Sequence, residues 1–205
     1  MSNQDGALEP SPHGTGAIRD DRRRFLKCTA SALALAPVSG VWAHTLSART
    51  LASRTLDSRT LKFVHTHTGE TLSTVYYRDG GYRAAELARV NHLLRDFRTG
   101  DVHRIDPAVL DILFDLQRLA DRDEPFQVVS GYRSPRTNEE LREHTSGVAA
   151  HSLHIQGRAI DVRLTGFPTH KLHGLALGMR RGGVGLYTRS DFVHLDNGRV
   201  RCWGC

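Results

Sequence analysis

The sequence predicts a single α+β domain, a small and mostly antiparallel sheet flanked by helices. Three observations carry that prediction. Short β-type runs fall near residues 61–67, 74–77, 126–130, 159–164 and 192–196. Two segments between the early and middle runs space their apolar residues at helical intervals. Hydrophobic residues at 39% and charged residues at 24% are the proportions of a chain that packs a core.

The 205 residues suffice for one domain with attachments, and the net charge is +6. The arginines are scattered and no aromatic platform is interleaved with them, so the chain does not read as a nucleic-acid binder. Cys28 falls in the leader described next, whereas Cys202 and Cys205 close the chain as CWGC. That placement favours a disulfide or an incidental pair over a redox centre.

Residues 1–43 read as an exported leader. Arg22-Arg23-Arg24-Phe25-Leu26-Lys27 resembles the twin-arginine signal RRxFLK, an apolar run follows, and Val41-Trp42-Ala43 offers a cleavage site. The apolar run is too short for a permanent membrane span. Export would place the mature chain in the periplasm or on the outer cell surface. Residues 44–60 read as a linker in which Arg-Thr-Leu occurs three times, and residues 61–205 as the domain.

The first strand alternates Leu61, Phe63, His65 and His67 on one face, and the H-x-H pair reads as partly exposed strand residues rather than as a metal site. Thr68-Gly69-Glu70 turns the chain into a return strand. Leu87, Val90, Leu94 and Phe97 define a helix over 83–97. Asp106 caps a second helix with Pro107 at its first position and Val109, Leu113, Leu116 and Ala120 on its buried stripe. Asp111 and Asp115 sit at the spacing of a solvated face. The run 126–130 ends in SGYRSP, where Gly131 and Pro135 turn the chain as Arg133 emerges to grip a carboxylate or steady an oxyanion. A capping-box pattern from Thr137 to Glu140 opens a short helix that Gly147 closes, and a further helix runs from about 168 to 181.

Two late stretches carry the chemistry, HSLHIQGRAID at 151–161 and DFVHLD at 191–196. They offer His154, Asp161 and His194, two imidazoles and a carboxylate, the ligand set of a zinc ion with an open position. The seven-residue step from His154 to Asp161 is interrupted by Gly157, so it fits a loop followed by a strand and not one helix face.

The pattern SGYR, then SxHxxGxAxD, then FVHxD preceded by GGVG resembles the peptidoglycan-cleaving zinc peptidases of the D-alanyl-D-alanine carboxypeptidase and LAS group, and within it the YcbK-like (MepK-like) murein endopeptidase branch. The resemblance implies that His154, Asp161 and His194 hold Zn2+, that Arg133 orients the substrate or stabilises the transition state, and that Ser152 steadies the ligand loop. It implies peptidoglycan stem peptides as the partner. The chain departs from better-known members at the base, which they place as His two positions or Glu three positions before the last ligand. Here those positions hold Phe192 and Asp191. Asp191 is the first candidate base. Asp196, on the same strand face as His194, is its competitor or else a partner of that histidine. A zinc-containing, wall-binding module that does no chemistry is the alternative reading.

Overall fold

The computed structural model describes residues 58–144 and 149–204. The leader, most of the linker, Gly147 and Cys205 lie outside these residues. The α+β class is present, but the sheet is larger than expected. Eight strands form one mixed sheet in the order β3-β2-β1-β4-β5-β7-β6-β8. They are β1 (Arg59–His65), β2 (Thr71–Arg78), β3 (Gly81–Tyr82), β4 (Phe126–Ser130), β5 (Ala159–Leu164), β6 (Gly183–Tyr187), β7 (Phe192–Asp196) and β8 (Arg201–Trp203). The pairs β1/β4 and β6/β8 are parallel and the other neighbours antiparallel. The expectation of a small sheet fails for two physical reasons. A strand of two or three residues is too short to show an alternation, and the parallel pairing of β1 with β4 joins the early hairpin to the later strands across a long connection.

Four helices accompany the sheet, α1 (Ala84–Leu93), α2 (Pro107–Leu119), α3 (Pro135–His144) and α4 (Thr169–Met179). Asp106 caps α2 as its sequence requires, its carboxylate accepting the Ala108 N–H at 3.0 Å. The third helix starts earlier than its capping-box pattern suggests, because Ser134 takes the capping role: its hydroxyl accepts the Thr137 N–H at 3.2 Å, with Pro135 at the first helical position.

Strand alternation divides the sheet into two faces. Ile160, Val162, Leu164, Val193 and Leu195 are buried on the face that α2 and α4 cover, together with Phe63, Phe126 and Val128. The intervening residues Asp161, Arg163, Phe192, His194 and Asp196 therefore share the opposite face. At the end of β4 the register against β5 slips by one residue between Val128 and Ser130. Such a bulge re-aims the chain, here the segment leading to Arg133, toward that second face.

Asp111 does not lie on a solvated face. It is buried, and it accepts hydrogen bonds from Tyr76 Oη at 2.9 Å and Tyr82 Oη at 2.7 Å and pairs with Arg59 Nη1 at 2.5 Å. Burial, with the Asp111 charge beside it, pushes the Tyr82 phenol up to about 12. One carboxylate thus ties α2 to three strands. Asp111→Ala is expected to destabilise the fold by about 3 kcal/mol, since it strands two phenols and a guanidinium that are partly desolvated. Urea denaturation checks this.

Candidate metal centre

His154 enters on a 3₁₀ turn, Leu153–Gln156, capped by Ser152, whose hydroxyl accepts the His154 N–H at 3.3 Å. Gly157 ends the turn with φ +66°, and a side chain there would collide with the Arg104 carbonyl oxygen. The glycine therefore does two things: it reverses the chain and lets the ligand loop press against the segment before α2. Its carbonyl accepts the Asp106 N–H at 2.9 Å.

Asp161 and His194 come from adjacent strands and stand directly opposite each other in the β5/β7 register. His194 Nδ1 lies 2.9 Å from Asp161 Oδ1 and 3.2 Å from His154 Nε2, and His154 Nε2 lies 3.3 Å from Asp161 Oδ1. All three side chains are buried. Their outer atoms settle the tautomers. His154 Nδ1 donates to the Gly131 carbonyl at 2.7 Å, which leaves a lone pair on Nε2. His194 Nε2 donates to Asp196 Oδ2 at 3.0 Å, which leaves a lone pair on Nδ1. With both rings neutral, two imidazole lone pairs and a carboxylate oxygen thus converge on one point. Zinc bonds of about 2.0–2.1 Å at tetrahedral angles would set ligand atoms about 3.3 Å apart; the two distances from His154 are 3.2 and 3.3 Å, and His194 and Asp161 are closer at 2.9 Å. The residues fit the ion. Among the described residues this is the one group of three such side chains close enough to hold a metal.

The electrostatics put two of the three groups, Asp161 and His154, in the protonation state that a metal needs. Burial opposes ionisation of Asp161, but His154 and His194 hold its carboxyl far below the usual range. Burial lowers His154, only partly offset by Asp161, so it stays neutral. Burial also works against charging His194, yet the hydrogen bonds to Asp161 and Asp196 win and raise it.

Asp196 is 1% exposed and fully occupied. Besides His194 it accepts from the Gly183 N–H at 3.0 Å, the Gly198 N–H at 2.8 Å and both Arg201 amino groups at 3.1 and 2.6 Å. Burial opposes its ionisation, and these donors hold it well below the ordinary carboxylate range. The geometry makes it the residue that orients His194. Asp191 is not one of the trio's hydrogen-bond partners among the described residues; it stands at φ +49° in the turn before β7, with its side chain 70% exposed and 3.8 Å from Arg163. Arg163 also donates to the backbone carbonyls of Ser190 and Asp191 and so ties down that turn.

Arg133 is brought to the trio. Its Nη2 lies 3.5 Å from Asp161 Oδ2, its Nη1 reaches Asn138 Oδ1 at 3.5 Å, and its Nε is buried without a partner. Buried Asp96 anchors the turn that carries it, accepting the Ser134 N–H at 2.9 Å. The H-x-H pair is packing and not two partly exposed strand residues: His65 ends β1, buried, with Nδ1 accepting the His67 N–H at 3.2 Å, and His67 lies in the turn after β1, exposed, and stacks on Phe97 with ring centroids 4.2 Å apart.

Sequence reasoning did not single out Arg201, Trp203 or Tyr187. Cross-strand register puts Asp196, Gly183 and Arg201 in one row and His194, Gly185 and Trp203 in the next. A side chain at Gly185 would collide with the Trp203 indole, which lies over the glycine and 5.0 Å from the His194 ring. The alternate glycines of GGVG are the signal for this, since they mark a strand face that a neighbour's side chains cross.

The protein family described as peptidoglycan L,D-endopeptidase MepK matches residues 53–203. The peptidoglycan L,D-endopeptidase MepK of Escherichia coli (strain K12) is 44% identical over 137 residues, 67% of this chain and 75% of that protein. The probable peptidoglycan L,D-endopeptidase MepK of Haemophilus influenzae is 41% identical over 144 residues, 70% of this chain and 77% of that protein. No solved structure matches the chain.

Asp196→Asn is expected to weaken zinc binding about 10–100-fold in chelator competition while far-UV circular dichroism stays unchanged. The pH dependence has a definite sign. In the metal-free protein the raised His194 contributes stability below its unfolded value, and that contribution is lost as pH rises through its folded value. Metal needs the deprotonated ring, so the gain in Tm on zinc addition is expected to grow between about pH 5.5 and about pH 8.

Proposed function

The chain belongs to the peptidoglycan L,D-endopeptidase MepK family, and from that premise we propose that it is a zinc-dependent hydrolase that cuts peptidoglycan peptides between an L- and a D-configured residue. The observation that supports this best is the convergence of His154 Nε2, His194 Nδ1 and Asp161 Oδ1 beside a buried Arg133 whose Nε has no partner. A zinc ion held there supplies Lewis-acid chemistry, acidifying water and polarising the amide carbonyl.

The chain's own residues have distinct tasks. Gly131 and Asp196 fix the tautomers that aim both imidazole lone pairs inward. Arg133 offers a desolvated cation to the substrate oxygen that gains charge; burial lowers its pKa and Asp161 opposes that shift. We assign the general base to Asp191. Of the two candidate carboxylates it alone keeps accessible oxygens, since every side of Asp196 is taken by a donor. Three residues before His194 and open to solvent, it is the carboxylate we assign to take a proton from water and pass it to the departing amine.

We also assign residues 1–43 to a twin-arginine leader, on the motif that begins at Arg22, and so place the mature protein in the periplasm or at the outer surface. None of the helices among the described residues is long and apolar enough to cross a membrane.

Zinc-loaded protein is expected to convert cross-linked peptidoglycan dimers to monomers, read by chromatography and mass. Asp191→Asn should keep full zinc and lose about 10²–10⁴-fold in rate; full activity in that variant would remove Asp191 from the reaction. Binding of every fragment without cleavage by fully metallated wild type would make the chain a wall-binding module instead. N-terminal sequencing of the exported protein is expected to begin at His44, and replacement of Arg22 and Arg23 by Lys should retain the full-length precursor.

A further inference from the structure

Tyr187 is held firmly by its neighbours, yet its own hydrogen-bond donor is unused. Its ring lies flat on Phe192, with centroids 4.5 Å apart and planes at 16°. Its phenol oxygen accepts the Trp203 indole N–H at 3.1 Å, and Trp203 itself flanks His194. A phenol has one proton to give as well as lone pairs to accept with. The indole takes up an acceptor position, and the phenol proton has no acceptor among the described residues.

Placement makes that free proton chemically relevant. Tyr187 and Phe192 are a cross-strand pair next to the His194/Gly185 pair, and the two-residue step along each strand keeps all four positions on the metal face. Arg133 adjoins the trio on the Asp161 side, and Tyr187 is fastened to it through Trp203 on the His194 side. Phe192 and Trp203 are apolar walls around the phenol, and a hydrogen bond made against such walls is worth more than one made in water.

We propose that Tyr187 is a catalytic residue: its O–H donates a hydrogen bond to the scissile carbonyl oxygen as that oxygen becomes negative, forming with Arg133 a two-donor oxyanion site. This rests on the peptidase reading above. The reaction balances without consuming the phenol. Water oxygen adds to the carbonyl carbon, the C–N bond breaks, the amine leaves with a proton that came from water, and Tyr187 keeps its own proton throughout. Trp203 is a positioning residue, because its indole N–H holds the phenol oxygen in place.

The test compares wild type, Tyr187→Phe and Trp203→Phe, each with zinc content verified. Two quantities are measured: the kinetics on a cross-linked stem-peptide dimer, and calorimetric affinity for a phosphinate analogue of the scissile bond and for the cleaved product peptide. The phosphinate oxygen stands in for the oxyanion. Tyr187→Phe preserves the ring stack and is expected to lower kcat about 10²-fold with KM within about threefold. It should weaken phosphinate binding by a similar factor and leave product binding unchanged. Trp203→Phe, which retains the phenol but frees it, should show a smaller loss with the same selectivity for the phosphinate. Wild-type kcat and phosphinate affinity in Tyr187→Phe would overturn the proposal while the peptidase reading stands. Equal weakening of phosphinate and product would overturn it too, leaving Tyr187 a packing role. A zinc-loaded wild type that cleaves nothing would bring down the peptidase reading and the Tyr187 role together.

Discussion

A buried carboxylate between two imidazoles is the constraint on which the rest of this structure depends. Asp161 lies inside the protein, where an unpaired charge is costly, and it stands opposite His194 on the next strand with His154 closing from a loop. Each imidazole spends one proton outward, so with both rings neutral the inward contacts join lone pairs, and only a second proton on His194 lets that ring donate to Asp161. A divalent cation reconciles them, and the cost of leaving the cluster without one makes metal binding and local order parts of the same equilibrium.

The outward hydrogen bonds explain why so much of the surrounding structure is specified. His154 is oriented by a backbone carbonyl at the end of β4, so the bulge that swings this segment over the metal face also sets a ligand. His194 is oriented by Asp196, whose charge is balanced by Arg201 from the last strand. That strand can approach only because positions 183 and 185 of its partner are glycines. The edge of the sheet is thereby part of the centre. Its arginine steadies the carboxylate behind a ligand, and its tryptophan packs beside the ligand and reaches Tyr187.

Burial also decides the roles of like residues. Asp111 and Asp115 lie four residues apart on α2, yet one gathers two phenols and an arginine in the interior while the other pairs with Arg181 at the surface. Asp191 and Asp196 flank His194 at three and two residues, and their environments oppose each other in the same way: one is open to solvent in a turn, the other saturated by donors. Sequence spacing alone gives such pairs equal standing.

The sequence by itself determined the α+β class, the main strands and helices and the cap at Asp106, because each rests on local chemistry: alternation along a strand, apolar spacing along a helix, or a cap before it. It offered His154, Asp161 and His194 as a ligand set, which the family resemblance, and not the spacing, singled out together with Arg133. Only the tertiary structure decided that the early hairpin joins the same sheet, that Asp111 is interior, that Asp196 stands behind His194, and that Arg201 and Trp203 border the centre with Tyr187 bound to the indole. The physical reason is that these follow from register between strands distant in sequence. The pairing of β6 with β8, not any spacing within either, lays an indole over Gly185 and carries it to the ring of His194.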